Sequence, residues 1–159
     1  MVSTILAFLF IVFVLGVLGI VVRHLQKKYN YSFQDSEKTD MPYIILDIQG
    51  KKFNMVVDSA ASVSVIRRNA VGMLLSYSES PRSVSLTALT NEGVRNDVIS
   101  VPISIGGKEI ITDFVVYDGD DIADFSRKHG IIIHGILGVE FFRKTGGKID
   151  FKTQTVTFP

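Results

Sequence analysis

The chain has no cysteine, no tryptophan, three histidines and four prolines in 159 residues. Without cysteine there can be no disulfides, thiolate nucleophiles, iron–sulfur clusters or Cys-ligated zinc. The redox compartment stays open, because a thiol-free chain folds in either setting. His24, His129 and His134 share no metal-ligand spacing, and the sequence has no His-Glu-x-x-His, Gly-x-Ser-x-Gly or phosphate-loop motif. His134 stands beside an apolar run and reads as a loop or core-edge histidine. A surplus of either charge is also lacking: 17 Lys and Arg against 16 Asp and Glu leave a net +1, without the basic excess of a nucleic-acid binder. The acidic run Asp118-Gly119-Asp120-Asp121 lacks the spaced oxygens and closing glutamate of a calcium loop and reads as a solvated turn. Neither a metal nor an organic cofactor is expected.

What is present is unevenly distributed. The mean hydropathy of +0.31 is high for a soluble domain, and the excess sits at the front. Residues 1–22 carry no charged side chain, and every Lys, Arg, Asp and Glu falls in 23–159. At about 1.5 Å per residue, a helix of that length spans roughly the hydrocarbon core of a bilayer. No basic residue precedes the run and no small-x-small cleavage site follows it, so an uncleaved anchor is expected rather than a signal peptide. Arg23, His24, Lys27 and Lys28 follow the span directly, which predicts the C-terminal portion on the cytoplasmic side. The sequence thus divides into a transmembrane anchor with a basic flank (1–28), a polar linker (29–41) and one domain (42–159), the length allowing a single ordinary domain.

From Pro42 onward the apolar residues recur with period two or in short runs. Strands are expected over Tyr43–Ile48 and Phe53–Val57 with a Gly50 turn between them. Further strands are expected over Ser83–Leu89, Val98–Ile105 and Glu109–Tyr117, and Lys148–Phe151 with Thr155–Phe158 forms a last hairpin. Helical signals are sparse. Ile66–Leu75 could form a short helix, and Val139–Thr145 another, ending at Gly146-Gly147. Pro102, inside a strand run, predicts an edge or a bulge. The expected fold is mostly β, a single-lobed closed β-barrel with one or two short helices, preceded by the transmembrane helix.

One segment places a carboxylate where chemistry could occur. In Val56-Val57-Asp58-Ser59-Ala60-Ala61-Ser62-Val63, an aspartate leaves an apolar strand into a turn of small residues, whose N–H groups can reach it. Taken alone, this reads first as a structural aspartate, making an Asx turn or capping a helix. A second segment, Gly135-Ile136-Leu137-Gly138-Val139-Glu140-Phe141-Phe142 followed by Lys148-Ile149-Asp150-Phe151, runs strand, short helix, strand. Together the two resemble the retropepsin-like aspartic proteases, across residues 42–159. The resemblance implies that Asp58 is the catalytic aspartate. Ser59, Ala60 and Ala61 would support its loop, Ile136, Leu137 and Gly138 would form the second loop of the site, and a hairpin at Thr90, Asn91, Glu92 and Gly93 would be a flap over a polypeptide substrate. Aspartic proteolysis needs two carboxylates, and Asp47, Asp97, Asp113 and Asp150 have no such turn after them, so a second copy must supply the other: a homodimer with its site on the two-fold axis. The family usually has glycine where this chain has Ala60, a position at which a Cβ is strained if φ is positive. That departure keeps open an inactive, protease-like peptide-binding or dimerisation module on the anchor, and a β-domain whose Asp58 turn is purely structural.

Overall fold

A computed structural model describes residues 29–34, 41–86 and 95–159. The expected anchor, the 35–40 part of the linker and the flap candidates lie outside the described residues. No helix among the described residues is long and apolar enough to cross a membrane.

Strands β2 (Tyr43–Ile48) and β3 (Lys51–Val57) form the expected hairpin. Its two turn residues, Gln49 and Gly50, both have positive φ, at 55° and 80°, the pairing that matches strand twist. The alternation is clean: Ile44, Leu46 and Ile48 of β2 and Phe53, Met55 and Val57 of β3 all enter one core, which α3 (Val139–Thr145) closes with Phe141 and Phe142. Each fully buried side chain of this size contributes roughly 2 kcal/mol. Tyr43 and Val56 point to the opposite face. There they join Val65, Val115 and Tyr117 in a second, smaller core.

The remaining elements are β4 (Val65–Arg67), α1 (Arg68–Val71), β5 (Ser78–Ser85), β6 (Arg95–Ile105), β7 (Lys108–Tyr117), α2 (Asp121–His129), β8 (Gly135–Leu137), β9 (Lys148–Asp150), β10 (Thr155–Phe158) and, at the front, β1 (Tyr29–Ser32). They build a seven-stranded sheet, β2-β3-β8-β4-β7-β6-β5, and a three-stranded sheet, β1-β10-β9.

Several expectations need correction. The fold is mostly β with short helices, but no closed barrel forms among the described residues. The seven-stranded sheet ends on β2 at one side and β5 at the other, while β9 and β10 pair with β1 in a sheet of their own. The linker is not structureless at its start: Tyr29–Ser32 pairs antiparallel with Thr155–Phe158, and Tyr31 packs its ring on Phe158. The helix expected over Ile66–Leu75 shrinks to Arg68–Val71, because Val65–Arg67 is drawn into the sheet beside Val115–Tyr117. Helix α2 is an addition to the expected elements. Pro102 fits its expected edge: β5 pairs β6 only as far as Ser100, and the Pro102 carbonyl faces the Gln49 side chain, away from β7.

Candidate active site

Residues 58–64 leave β3 and return as β4. The small side chains of Ser59, Ala60, Ala61 and Ser62 let the chain fold back on the carboxylate. Asp58 Oδ1 accepts the N–H of Ala60 at 2.8 Å and that of Ala61 at 3.3 Å, an Asx turn. Ser59 and Ala60 are exposed at the tip, and Asp58 is half-buried at its base. Ala60 is not among the residues with positive φ, so its Cβ carries no backbone strain and the carboxylate keeps its N–H donor.

The loop is held from below by β8. This strand threads between the two arms, parallel to β3 through Val56↔Ile136 and Val57↔Leu137, and antiparallel to β4 through Val65↔Ile136. Such insertion needs glycine at both ends. A Cβ on Gly135 would lie 2.2 Å from the Val65 carbonyl oxygen, and one on Gly138 would lie 2.6 Å from Val63 backbone atoms. Between them Leu137 drops into the core, while Ile136 stays half-buried under the aspartate. The Asp58 N–H donates to the Leu137 carbonyl at 3.1 Å, and the Val139 N–H donates to the Ala61 carbonyl at 2.8 Å. Fully buried Ser64 accepts the Gly138 N–H on its Oγ at 3.0 Å and donates its own N–H to Glu140 Oε1 at 2.5 Å. The two segments singled out in the sequence are therefore one structural unit.

Two clefts open beside Asp58, and both are lined by Asp58 and Ile136. One, of about 440 Å³, is walled by Ile122 and Phe125 of α2 with Met41 and Val56. The other, of about 360 Å³, runs along Val63, Val84 and Leu86 toward the β5–β6 hairpin. The arms of that hairpin pair up to Ser85↔Arg95. Thr90–Gly93, the flap candidates at its tip, lie outside the described residues.

The other carboxylates are engaged elsewhere. Asp47 is held below the usual carboxylate range by Lys52, at 2.9 Å, and by the Gly50 N–H. Asp150 is lowered in the same direction by the N–H and side chain of Thr153. Asp113 takes Arg82 and the Ser100 hydroxyl, at 2.5 and 2.6 Å. His134 is structural: its Nδ1 accepts the Asn54 N–H at 2.9 Å and its ring lies against Phe53. Burial, reinforced by Arg67, holds it below the usual histidine value. Asp118 pairs with Arg68, and the exposed turn Asp118–Asp120 leads straight into α2, with Asp120 at its N-cap and Asp121 in its first turn. Sequence reasoning missed Ile122, Phe125, Ser64 and Glu140. The first two carried a signal: acidic residues in the first turn, Arg127, Lys128 and His129 in the last, and Gly130 after them mark a helix.

A strand–carboxylate–strand loop pierced by a glycine-flanked strand, present once among the described residues, is the arrangement of a single-lobed acid-protease protomer. The sequence matches the aspartyl protease family over residues 44–141, and the chain belongs to that family; its class of activity is that of an aspartic endopeptidase, a hydrolase. In solved structures the fold is similar to the retroviral protease-like domain of Ddi1 from Leishmania major, at 18% identity and TM-score 0.51 over 74% of this chain and 87% of that one. It is similar also to a retropepsin-like aspartic protease from Rickettsia conorii, at 16% identity and TM-score 0.50 over 82% and 87%. No curated protein matches the sequence.

Proposed function

We propose that this protein is a membrane-tethered aspartic endopeptidase that works as a homodimer, with Asp58 of each copy meeting on the two-fold axis. The observation that carries this reading is the placement of Asp58 at the shared floor of both clefts, in a loop that occurs once among the described residues. Like charges brought into contact cannot both ionise, so the pair holds one proton between them; aspartic proteases are the standard example. The ionised partner takes a proton from water as it attacks the scissile carbonyl carbon. The protonated partner donates to the carbonyl oxygen. The tetrahedral adduct then collapses as the amide nitrogen takes up a proton and leaves as the amine. The pair titrates as a unit, so its two apparent pKa values belong to the dimer.

Ser59 and Ala60, exposed at the loop tip, supply the surface on which the two loops meet. An extended polypeptide lies across the pair with side chains in the two largely apolar clefts, and Thr90–Gly93 closes over it. Residues 1–22 hold the enzyme in a bilayer with the protease domain on the cytoplasmic side, and tethering raises the local concentration of protomers and favours pairing.

The test is cleavage of a peptide library by the purified full chain from acidic to neutral pH, with Asp58→Asn beside it. Cleavage should vanish in the variant. Excess Asp58→Asn mixed into the wild type should poison activity by forming mixed dimers. Undiminished cleavage by Asp58→Asn sinks the reading. Membrane residence is checked separately, by whether alkaline carbonate strips the protein from vesicles.

A further inference from the structure

We propose that Glu140 is a positioning residue for Asp58, tying the far end of the catalytic loop to helix α3. This rests on the reading of Asp58 as catalytic. Glu140 is the second residue of α3, and its side chain reaches back across Gly138 to the loop. Its Oε1 accepts the Ser64 N–H at 2.5 Å, whereas Oε2 is buried with no hydrogen-bond partner among the described residues. Leaving half a carboxylate desolvated and unpaired is unfavourable, and a residue present only to fill space would be apolar. What the carboxylate supplies is the bond to Ser64. Ser64 is where the loop becomes β4; its carbonyl is already taken by the Val115 N–H, and its hydroxyl by the Gly138 N–H.

The loop is therefore pinned at its start by Leu137, at its middle by Val139 and at its end by two side-chain bonds, Ser64 Oγ to the Gly138 N–H and the Ser64 N–H to Glu140. The missing Cβ of Gly138 is part of the arrangement, since one placed there would stand 2.7 Å from Glu140 Oε2. Without the Glu140 bond, the Ser64 N–H is orphaned inside the protein, and the loop end, left with its bonds to Val115 and Gly138, shifts to relieve it. Asp58 is then displaced from its partner, while the cleft walled by Ile122, Phe125, Met41 and Val56 stays in place. The expected signature is a loss in kcat with little change in KM.

The experiment compares Glu140→Gln, Glu140→Asp and Glu140→Ala in the full chain, on a peptide that the wild type cleaves, with hydrogen exchange of the Ser64 amide measured in parallel. Glutamine keeps the reach and an acceptor oxygen but loses the charge; aspartate keeps the charge but is one methylene too short. Glu140→Asp and Glu140→Ala should lower kcat about a hundredfold with KM within about twofold, as a small misplacement of a reacting group does. In both, the Ser64 amide should exchange faster. Glu140→Gln should return kcat to within about threefold of wild type and restore Ser64 protection. The opposite order, aspartate active and glutamine not, assigns the role to charge and overturns the proposal, as does wild-type kcat in Glu140→Ala. If Glu140→Ala does not fold, the Gln and Asp pair decides. A wild type that cleaves nothing counts against the catalytic reading instead, and the Ser64 exchange rates still test the pin.

Discussion

The turns Asp58–Ser62 and Asp118–Asp121 each begin on an aspartate at the end of a strand, and they have opposite fates. At the first, a strand from a distant part of the sequence runs beneath the turn, and the carboxylate faces two clefts with backbone N–H groups behind it. At the second, nothing is threaded beneath. Asp118 pairs with Arg68 on the surface, and Asp121 opens a helix and accepts a hydrogen bond from the Tyr117 phenol, which burial and this bond push up to about 12. A carboxylate in a turn at the end of a strand is thus only a candidate. The strand that pierces its loop sets its position.

The largest expected effect separates the two turns directly. Asp58→Asn should lower kcat/KM about a thousandfold or more, the order lost with an acid–base group. Asp118→Asn should cost less than about 1 kcal/mol in denaturant unfolding and leave cleavage intact, because it breaks only an exposed ion pair.

Next come the glycines beside each turn. Gly138→Ala drives a Cβ into Val63 backbone atoms at 2.6 Å and should cost about 3 kcal/mol by the same unfolding assay. Gly119→Ala meets the Tyr117 side chain instead. A side chain can give way where the main chain of a pinned loop cannot, so the cost should be nearer about 1 kcal/mol.

A smaller effect lies in pH. His134 sits beside the threaded strand with its folded pKa below the ordinary 6.5, so the unfolded chain binds the proton first. Stability from the neutral ring is complete above pH 6.5 and falls as pH drops from there toward the lowered folded value. Thermal midpoints measured across that window should flatten in His134→Gln. The smallest change is Ala60→Gly. Ala60 is exposed and free of positive φ, so glycine should loosen the unfolded chain by about 0.5–1 kcal/mol and bring no large gain in turnover. A large gain would mean that the Ala60 Cβ obstructs the paired loop of a second copy.

Much of this was legible before folding because it is local. The alternation in Tyr43–Val57 gives the first hairpin, and the stretch Val139–Thr145 with its glycine stop gives α3. Asp58 stands out through its small neighbours, and the Gly135–Gly138 stretch through its glycines. What could not be read is what depends on distant pairing. Val65–Arg67 has helical company in sequence but is captured by β7 and β8. Tyr29–Ser32 is too polar to announce itself and becomes a strand only because the C-terminal strand offers an edge. Helix α2 was obscured by its acidic start, which reads as a turn until the basic last turn and Ile122 with Phe125 are weighed together. Ser64 and Glu140 each look ordinary, and their meaning lies in a contact across 76 positions.

That separation has a temporal consequence. A chain emerging from the ribosome presents Asp58 first, β8 and Glu140 come only after more than seventy further residues, and the partner strand of β1 comes later still. Long-range closures of this kind form late in folding. Until β8 has been made, the nascent chain therefore carries its aspartate in an unlocked loop, and the threaded strand sets the moment at which that loop becomes fixed.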